Sequence, residues 1–321
     1  MIYTAGEMVL KVASNQGRIR IDAYLVSRLP HISRSRIKQL ITDGLVTVDS
    51  EPVKPSRKIS PGESITLHLQ PKPQPSYEPE NIPLDIIYED RHLAVINKPA
   101  GMVVHPGHGN FTGTLMNALL GHNRSLMELG EDFRAGIVHR LDKDTTGLLV
   151  TAKDEYTLSE LGRQFSSHTI ERKYTALVWG HPKKRSGVIE GNLGRSNRDR
   201  RLFTVKAEGK PALTSYSIIE YFEVFSLLEI ILGTGRTHQI RVHFSHIGHP
   251  VFGDPTYGGR NARFGGLTPS QRLICAEYLQ IMKRQALHAK TLGFFHPVRK
   301  EFMRFDSELP EDMRELLEKL R

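Results

Sequence analysis

The sequence predicts an α+β protein: a large domain on a mixed, largely antiparallel sheet, preceded by a small α/β domain. The 321 residues are too many for one small module. Pro71, Pro73, Pro75, Pro79 and Pro83 share one short polar stretch, which favours extended backbone without a packed core and marks 71–83 as a linker. Beyond it, strand signals follow one another across short turns instead of alternating with helices as a βαβ array would.

Residues 1–17 read as an N-terminal extension and 18–70 as the small domain. In the latter, Ile21, Leu25 and Leu29 recur at helical spacing, and Ser33 caps a second helix that turns Ile37, Leu40 and Ile41 inward. Arg34, Arg36 and Lys38 occupy that helix's first turns. Asp43-Gly44 stops it, and Leu45 to Val48 and Ile65 to Leu69 follow as short strands. In the large domain, 84–321, strands are expected over Leu93–Asn97, Ile137–Leu141, Leu148–Ala152, Tyr174–Trp179, Thr214–Glu220 and Phe225–Leu232. Helices are expected over Thr114–Leu120, Leu158–Phe165 and His238–Ile247, the last with Ile240, Phe244 and Ile247 on one face and Gly248 as its stop.

Charge narrows the partner. Lys and Arg exceed Asp and Glu by nine, so an acidic partner such as nucleic acid is the first to consider. The excess is local. Residues 1–75 hold eleven basic against six acidic side chains and 183–210 hold nine against three, while 301–321 hold four against seven. No window approaches the roughly 18 apolar residues of a membrane span, and Glu7 interrupts the one early apolar patch, so neither membrane insertion nor a signal peptide is expected. A lone cysteine, Cys275, excludes a disulfide framework within the chain and any thiolate-rich metal site, and fits a cytoplasmic protein.

Several chemistries fail on spacing. No Gly-x4-Gly-Lys-Ser/Thr occurs, and Gly233-Thr234-Gly235 lacks the third glycine of a dinucleotide fingerprint. His238, His243, His246 and His249 cluster without a thiolate or a His-Glu-x-x-His pattern, so capping, packing or phosphate contact is expected of them and no metal. The most informative stretch is "GIVHRLDKDTTGLLVTAK", 136–153. As a strand it would turn Ile137, His139 and Leu141 to one face and Arg140 and Asp142 to the other. Asp142 would then stand at the lip of a sheet, ahead of an apolar strand; alternatively it caps its own turn.

Two resemblances complete the reading. "SRSRIKQLITDGLVTVD" with "KPSRKISPGESITL" resembles the small RNA-binding fold first seen in ribosomal small-subunit protein four, which implies that Arg34, Arg36 and Lys38 lie against RNA phosphates. "HRLDKDTTGLLV" resembles the signature of the RluA-type family of pseudouridine synthases. "ERKYTALVWG", "GTGRTHQIRVHFSHIGHPVFGDPTYGG" and "RQALHAKTLGFFHP" are similar, in order, to that family's later blocks. The resemblance implies that 84–321 is a catalytic domain, that Asp142 is the catalytic residue, and that Arg236 stands beside it. It also implies that Tyr174 stacks on the target base and that Arg140 enters the space that base vacates or grips the phosphate. The expected partner is RNA, specifically 23S ribosomal RNA or the large ribosomal subunit, with no cofactor and with the chain acting as a monomer.

The chemistry accords with those residue types. Converting uridine to pseudouridine breaks the C1′–N1 bond and joins C1′ to C5 with no net redox change. A carboxylate can attack C6 or C1′, or take a sugar proton; each route needs Asp142 charged. A uracil in its stack cannot reach a carboxylate at the base of a cleft, so the nucleotide must be extruded. The basic run "RSNRDRRLFTVKAEGK" would then grip RNA backbone near the pocket. Competing readings are Tyr174 as a core aromatic, Arg236 as a capping or phosphate-binding group, a noncatalytic RNA-binding factor, and a retaining glycosidase built on Asp142 and Asp144.

Overall fold

A computed structural model describes residues 6–29, 34–69, 78–107, 109–129, 135–260 and 266–321. The chain divides into two compact units, 1–74 and 75–321. The first contains β1 (Gly6–Lys11), α1 (Ile21–Arg28), α2 (Arg34–Thr42), β2 (Val46–Val48), β3 (Glu51–Pro52) and β4 (Ser64–Leu69). Its strands form an antiparallel sheet in the order β1-β4-β2-β3. Within the stretch read as an extension, Gly6 to Lys11 instead pair along the whole of β4, and Val12 is buried in the unit's core. The apolar spacing expected of both helices is observed, since Ile21, Leu25, Leu29, Ile37, Leu40 and Ile41 pack with Ile65 and Leu67. Gly44, at φ +73°, ends α2 in a conformation glycine adopts without steric cost. Ser33 lies outside the described residues.

The second unit runs β5 (Ile86–Glu89), β6 (Leu93–Lys98), α3 (Leu115–His122), a 3-10 segment (Arg124–Leu129), β7 (Thr146–Ala152), α4 (Glu155–Ser166) and β8 (Glu171–Trp179). It continues with β9 (Ser186–Arg195), β10 (Phe203–Val205), β11 (Lys210–Tyr221), β12 (Phe225–Leu232), α5 (Gln239–His246), α6 (Pro269–Ile281), β13 (Leu287–Phe295), β14 (Phe302–Asp306) and α7 (Glu311–Leu320). Among the described residues these strands make one sheet, β10-β9-β11-β12-β8-β13-β7-β6-β5, with β14 paired to β13. Only β13 and β7 pair in parallel, so the sheet is mixed and largely antiparallel.

Helices cover both faces of the sheet's centre, and β8 shows how. Tyr174, Ala176 and Val178 join a core that includes Leu119 of α3, Leu161 of α4 and Phe244 of α5. Leu177 and Trp179 face a second core with Cys275 of α6 and Leu316 of α7. A strand buried on both sides reads as a continuous apolar run, and β7 is likewise buried at all seven positions.

The expected strand over Ile137–Leu141 is not formed; only Ile137 makes a bridge, to Thr151. The backbone N–H of Val150 donates instead to Nε2 of His139, at 3.0 Å, so a side chain occupies a place that a ladder would need. Ile247, expected to face inward, is 36% exposed as the C-cap of α5.

Candidate active site

The segment from Gly136 to Thr145 is an irregular loop seated on β7 and β13. A glycine at the loop's start and another in β7, just beyond its end, permit the seating. A Cβ on Gly136 (φ +73°) would lie 1.7 Å from the carbonyl oxygen of Ala152, and one on Gly147 (φ +112°) 2.2 Å from that of Ala289. Side chains hold the loop's far end. The ammonium of Lys98, wholly buried, donates to the carbonyls of Pro99, Met102 and Lys143 at 2.7, 2.9 and 3.0 Å. Burial lowers its pKa to about 7, against the pull of Asp144 and Asp142. Arg284 donates through Nη1 to the Asp144 carbonyl at 3.0 Å while forming a bidentate pair with Asp312 of α7.

This loop presents Asp142 to a cleft of about 710 Å³. Oδ2 of Asp142 accepts from Nη1 of Arg241 at 3.0 Å, and Oδ1 stands 3.9 Å from Nε2 of His238. The carboxylate does not cap its own turn; the N–H of Thr145 donates to the backbone carbonyl of Asp142. Arg241 in turn pairs in fork geometry with Asp254, Nε to Oδ2 at 2.7 Å and Nη2 to Oδ1 at 2.9 Å. Asp254, with no exposed surface, also accepts from the N–H groups of Thr256 and Tyr257. Burial works against the charge on Arg241, but the Asp254 hydrogen bonds and both carboxylates outweigh it and hold the guanidinium above its ordinary pKa. The cation beside Asp142 is thus Arg241.

Arg236, expected in that position, lines the cleft without pairing with Asp142. Its N–H donates to Oε1 of Gln239 and its Nε to the carbonyl of Pro211, which turns the side chain along the rim. The same Gln239 receives the hydroxyl of Thr234 and donates to Leu213 and Thr214, locking the Gly233–His238 turn onto β11. His238, at φ +57°, starts α5 and contacts the Tyr257 hydroxyl through Nδ1 at 2.7 Å. From there the first turn of α5 carries Arg241 inward.

Tyr174 is 7% exposed, sits in the core and lines the cleft; burial raises its pKa, so the phenol stays protonated near neutrality. Arg140 is exposed at the cleft and forms no ion pair among the described residues. His139 stacks on Phe165 with centroids 4.4 Å apart, and burial lowers its pKa to about 3, which fixes the neutral form that accepts from Val150.

In the small unit, Arg34 is 55% exposed and pairs with the buried Asp22, while Lys38 is exposed. The side chain of Arg36 lies outside the described residues. Two other histidines of the cluster have local partners: His243 meets Thr214 and His249 the carbonyl of Trp179. The run 195–205 closes as the β9–β10 hairpin, adjacent to α5.

Arg241, Asp254, Lys98 and Arg284 carry no individual signal in the sequence. The need of Arg241 for a buried carboxylate shows only once Gln239 to Phe244 are seen to be buried together.

Comparison with known proteins supplies the family. Residues 92–246 match the model described as RNA pseudouridylate synthase, and 19–65 match the S4 domain. The chain is 45% identical to an uncharacterized RNA pseudouridine synthase of Chlorobaculum parvum, over 98% of each protein. It is also 45% identical to ribosomal large subunit pseudouridine synthase D of Nitrosomonas europaea, over 97% of this chain and 87% of that one. Among solved structures, Human RNA Pseudouridylate Synthase Domain Containing 4 shares the fold, with a TM-score of 0.56 and 23% identity over 73% of this chain and 92% of that one. The chain belongs to the RNA pseudouridine synthases, isomerases of uridine in RNA, and carries an S4 domain at its amino-terminal end.

Proposed function

We propose that the chain isomerises uridines of large-subunit (23S) ribosomal RNA, extruding each target nucleotide into the cleft and using Asp142 as the catalytic carboxylate, without a cofactor. The observation that carries this is the Asp142–Arg241–Asp254 chain. It aims one oxygen of Asp142 at the doubly paired guanidinium and leaves Oδ1 with no hydrogen bond among the described residues. Relatives named as large-subunit synthases, at 42% to 45% identity, support the choice of RNA.

The extruded uracil meets Tyr174, whose ring offers a stacking face and whose protonated phenol can donate near the ring. Oδ1 of Asp142 then attacks C6 or C1′, or takes a sugar proton. In each route the C1′–N1 bond breaks, C1′ joins C5, and C5 gives up its hydrogen as N1 gains one. Arg140, uncommitted at the mouth, enters the space the base leaves. Arg236, on the rim, contacts RNA backbone, and Arg34, Arg36 and Lys38 of the S4 domain hold a second part of the same RNA.

Asp142→Asn tests the reading. It should abolish release of tritium from C5-tritiated uridine in 23S ribosomal RNA while RNA affinity stays within about twofold. Undiminished turnover in this variant would remove Asp142 from the chemistry.

A further inference from the structure

Within this proposed reaction one side chain of the cleft has no assigned task. Arg172, on β8 two residues before Tyr174 and on the same face, is 8% exposed and lines the cleft. Its neighbours in sequence are neutralised, Glu171 by Arg304 and Lys173 by Glu229, whereas Arg172 has no carboxylate within ion-pair distance among the described residues. Nε is buried without a hydrogen-bond partner. Nη2 reaches the Leu232 carbonyl at a long 3.4 Å, and the Phe165 ring lies 5.5 Å from the guanidinium carbon. Nη1 has no hydrogen-bond partner among the described residues and lies beneath the Gly233–Arg236 turn, where a Cβ on Gly235 would come within 3.1 Å of it.

A buried cation with neither counterion nor full hydrogen bonding is costly in the free protein. Arg241, in the same cleft, has two carboxylates; Arg172 has none. A neutral uracil carbonyl would supply a hydrogen bond but leave the charge uncompensated, whereas a phosphodiester supplies both in the bidentate geometry a guanidinium favours. We propose that Arg172, under the small Gly235, is a binding subsite for an RNA backbone phosphate flanking the extruded uridine. The protein itself supplies no counterion there among the described residues, and RNA supplies it.

The test compares the full-length wild type with Arg172→Met and Arg172→Lys on a C5-tritiated 23S ribosomal RNA stem-loop that the wild type converts. Arg172→Met should lower kcat/KM at least tenfold, chiefly through KM. It should also reduce the slope of log kcat/KM against log salt by about 0.7, the value for one phosphate on a single strand. Its thermal midpoint should equal or exceed that of the wild type, because an uncompensated buried charge has been removed. Arg172→Lys should recover the salt slope in part. A neutral methylphosphonate at the contacted position should impair the wild type and leave Arg172→Met unchanged. An unchanged salt slope with a lowered midpoint would show that Arg172 only packs against Phe165, and equal methylphosphonate effects in both proteins would remove the phosphate. Failure of the wild type to convert any such RNA would instead sink the functional reading, and this subsite with it.

Discussion

Asp254 has no exposed surface and Arg241 is its counterion, so the geometry of Asp142 depends on a charge that is itself buried. Removing one partner of such a pair is far worse than never having built it, because the other charge remains desolvated. Arg241→Met should therefore cost about 3–5 kcal/mol in urea unfolding as well as activity, and adding Asp254→Asn should restore much of the stability and none of the turnover. That Asp142 reaches a cleft could be expected from its motif. Its partner could not, because Arg236 and Arg241 share one block and only the hydrogen bonds of Gln239 and Pro211 decide which turns inward. The histidines make a second expectation. His139 and His288 are held by burial at about 3 and about 4, below the ordinary 6.5, so the unfolded chain takes up protons first. The contribution of these two rings to stability is full above about pH 6.5 and is lost as pH falls toward 4, at up to about 1.4 kcal/mol per pH unit for each ring. Carboxylates with lowered pKa values add to the loss only below about pH 4. Burial lowers His238 and His243 as well, so urea midpoints should fall between about pH 7 and pH 5, and His139→Gln should flatten that fall in part.

The loop that carries Asp142 shows where periodicity reaches its limit. Alternating faces from Ile137 to Asp142 describe a strand and an extended loop equally well. Ile137 and Leu141 are in fact buried, and Arg140 and Asp142 do line the cleft. The distinction lies in the Val150 N–H, which takes His139 as its acceptor, and that contact joins residues eleven positions apart. By contrast β7, β8 and β12 were legible because both of their faces are apolar or β-branched, and α3 because Thr114 and Asn117 form a capping box at its start. The glycines that let the loop sit down were not, since the close approach of Gly147 to Ala289 is tertiary. Gly147→Ala would place a Cβ against that carbonyl at a φ of +112°, so the strand or the loop must shift. Thermal or urea unfolding should show a loss of about 3 kcal/mol, at the upper end of the single-substitution range. Turnover should fall more than RNA affinity, because Asp142 is displaced while the basic rim is not.

Each unit has its own apolar core, and none of the residues in the small unit's core belongs to a core of the larger one. Charge is uneven along both units: 1–75 carries five excess positive charges, and within the larger unit 183–210 carries six while the 301–321 tail is acidic. This charge pattern was readable from composition; the contribution of Gly6–Lys11 to the small sheet was not, because an edge strand announces itself only by pairing. Where two separate basic patches on one chain meet the same RNA, binding of the first raises the effective concentration of the second. Removing 1–74 should therefore leave the cleft and its chemistry intact on a minimal stem-loop and weaken binding of a longer RNA by tenfold or more. The salt dependence separates the two contributions. Every RNA phosphate that the shortened protein no longer neutralises should reduce the slope of log affinity against log salt by about 0.7 to 0.9. The truncated chain should thus show a shallower line on long RNA and an unaltered one on the stem-loop. Equal slopes for both proteins on long RNA would mean that the S4 domain neutralises no phosphate, and complete loss of turnover on the stem-loop would mean that the larger unit needs the smaller one to form its site.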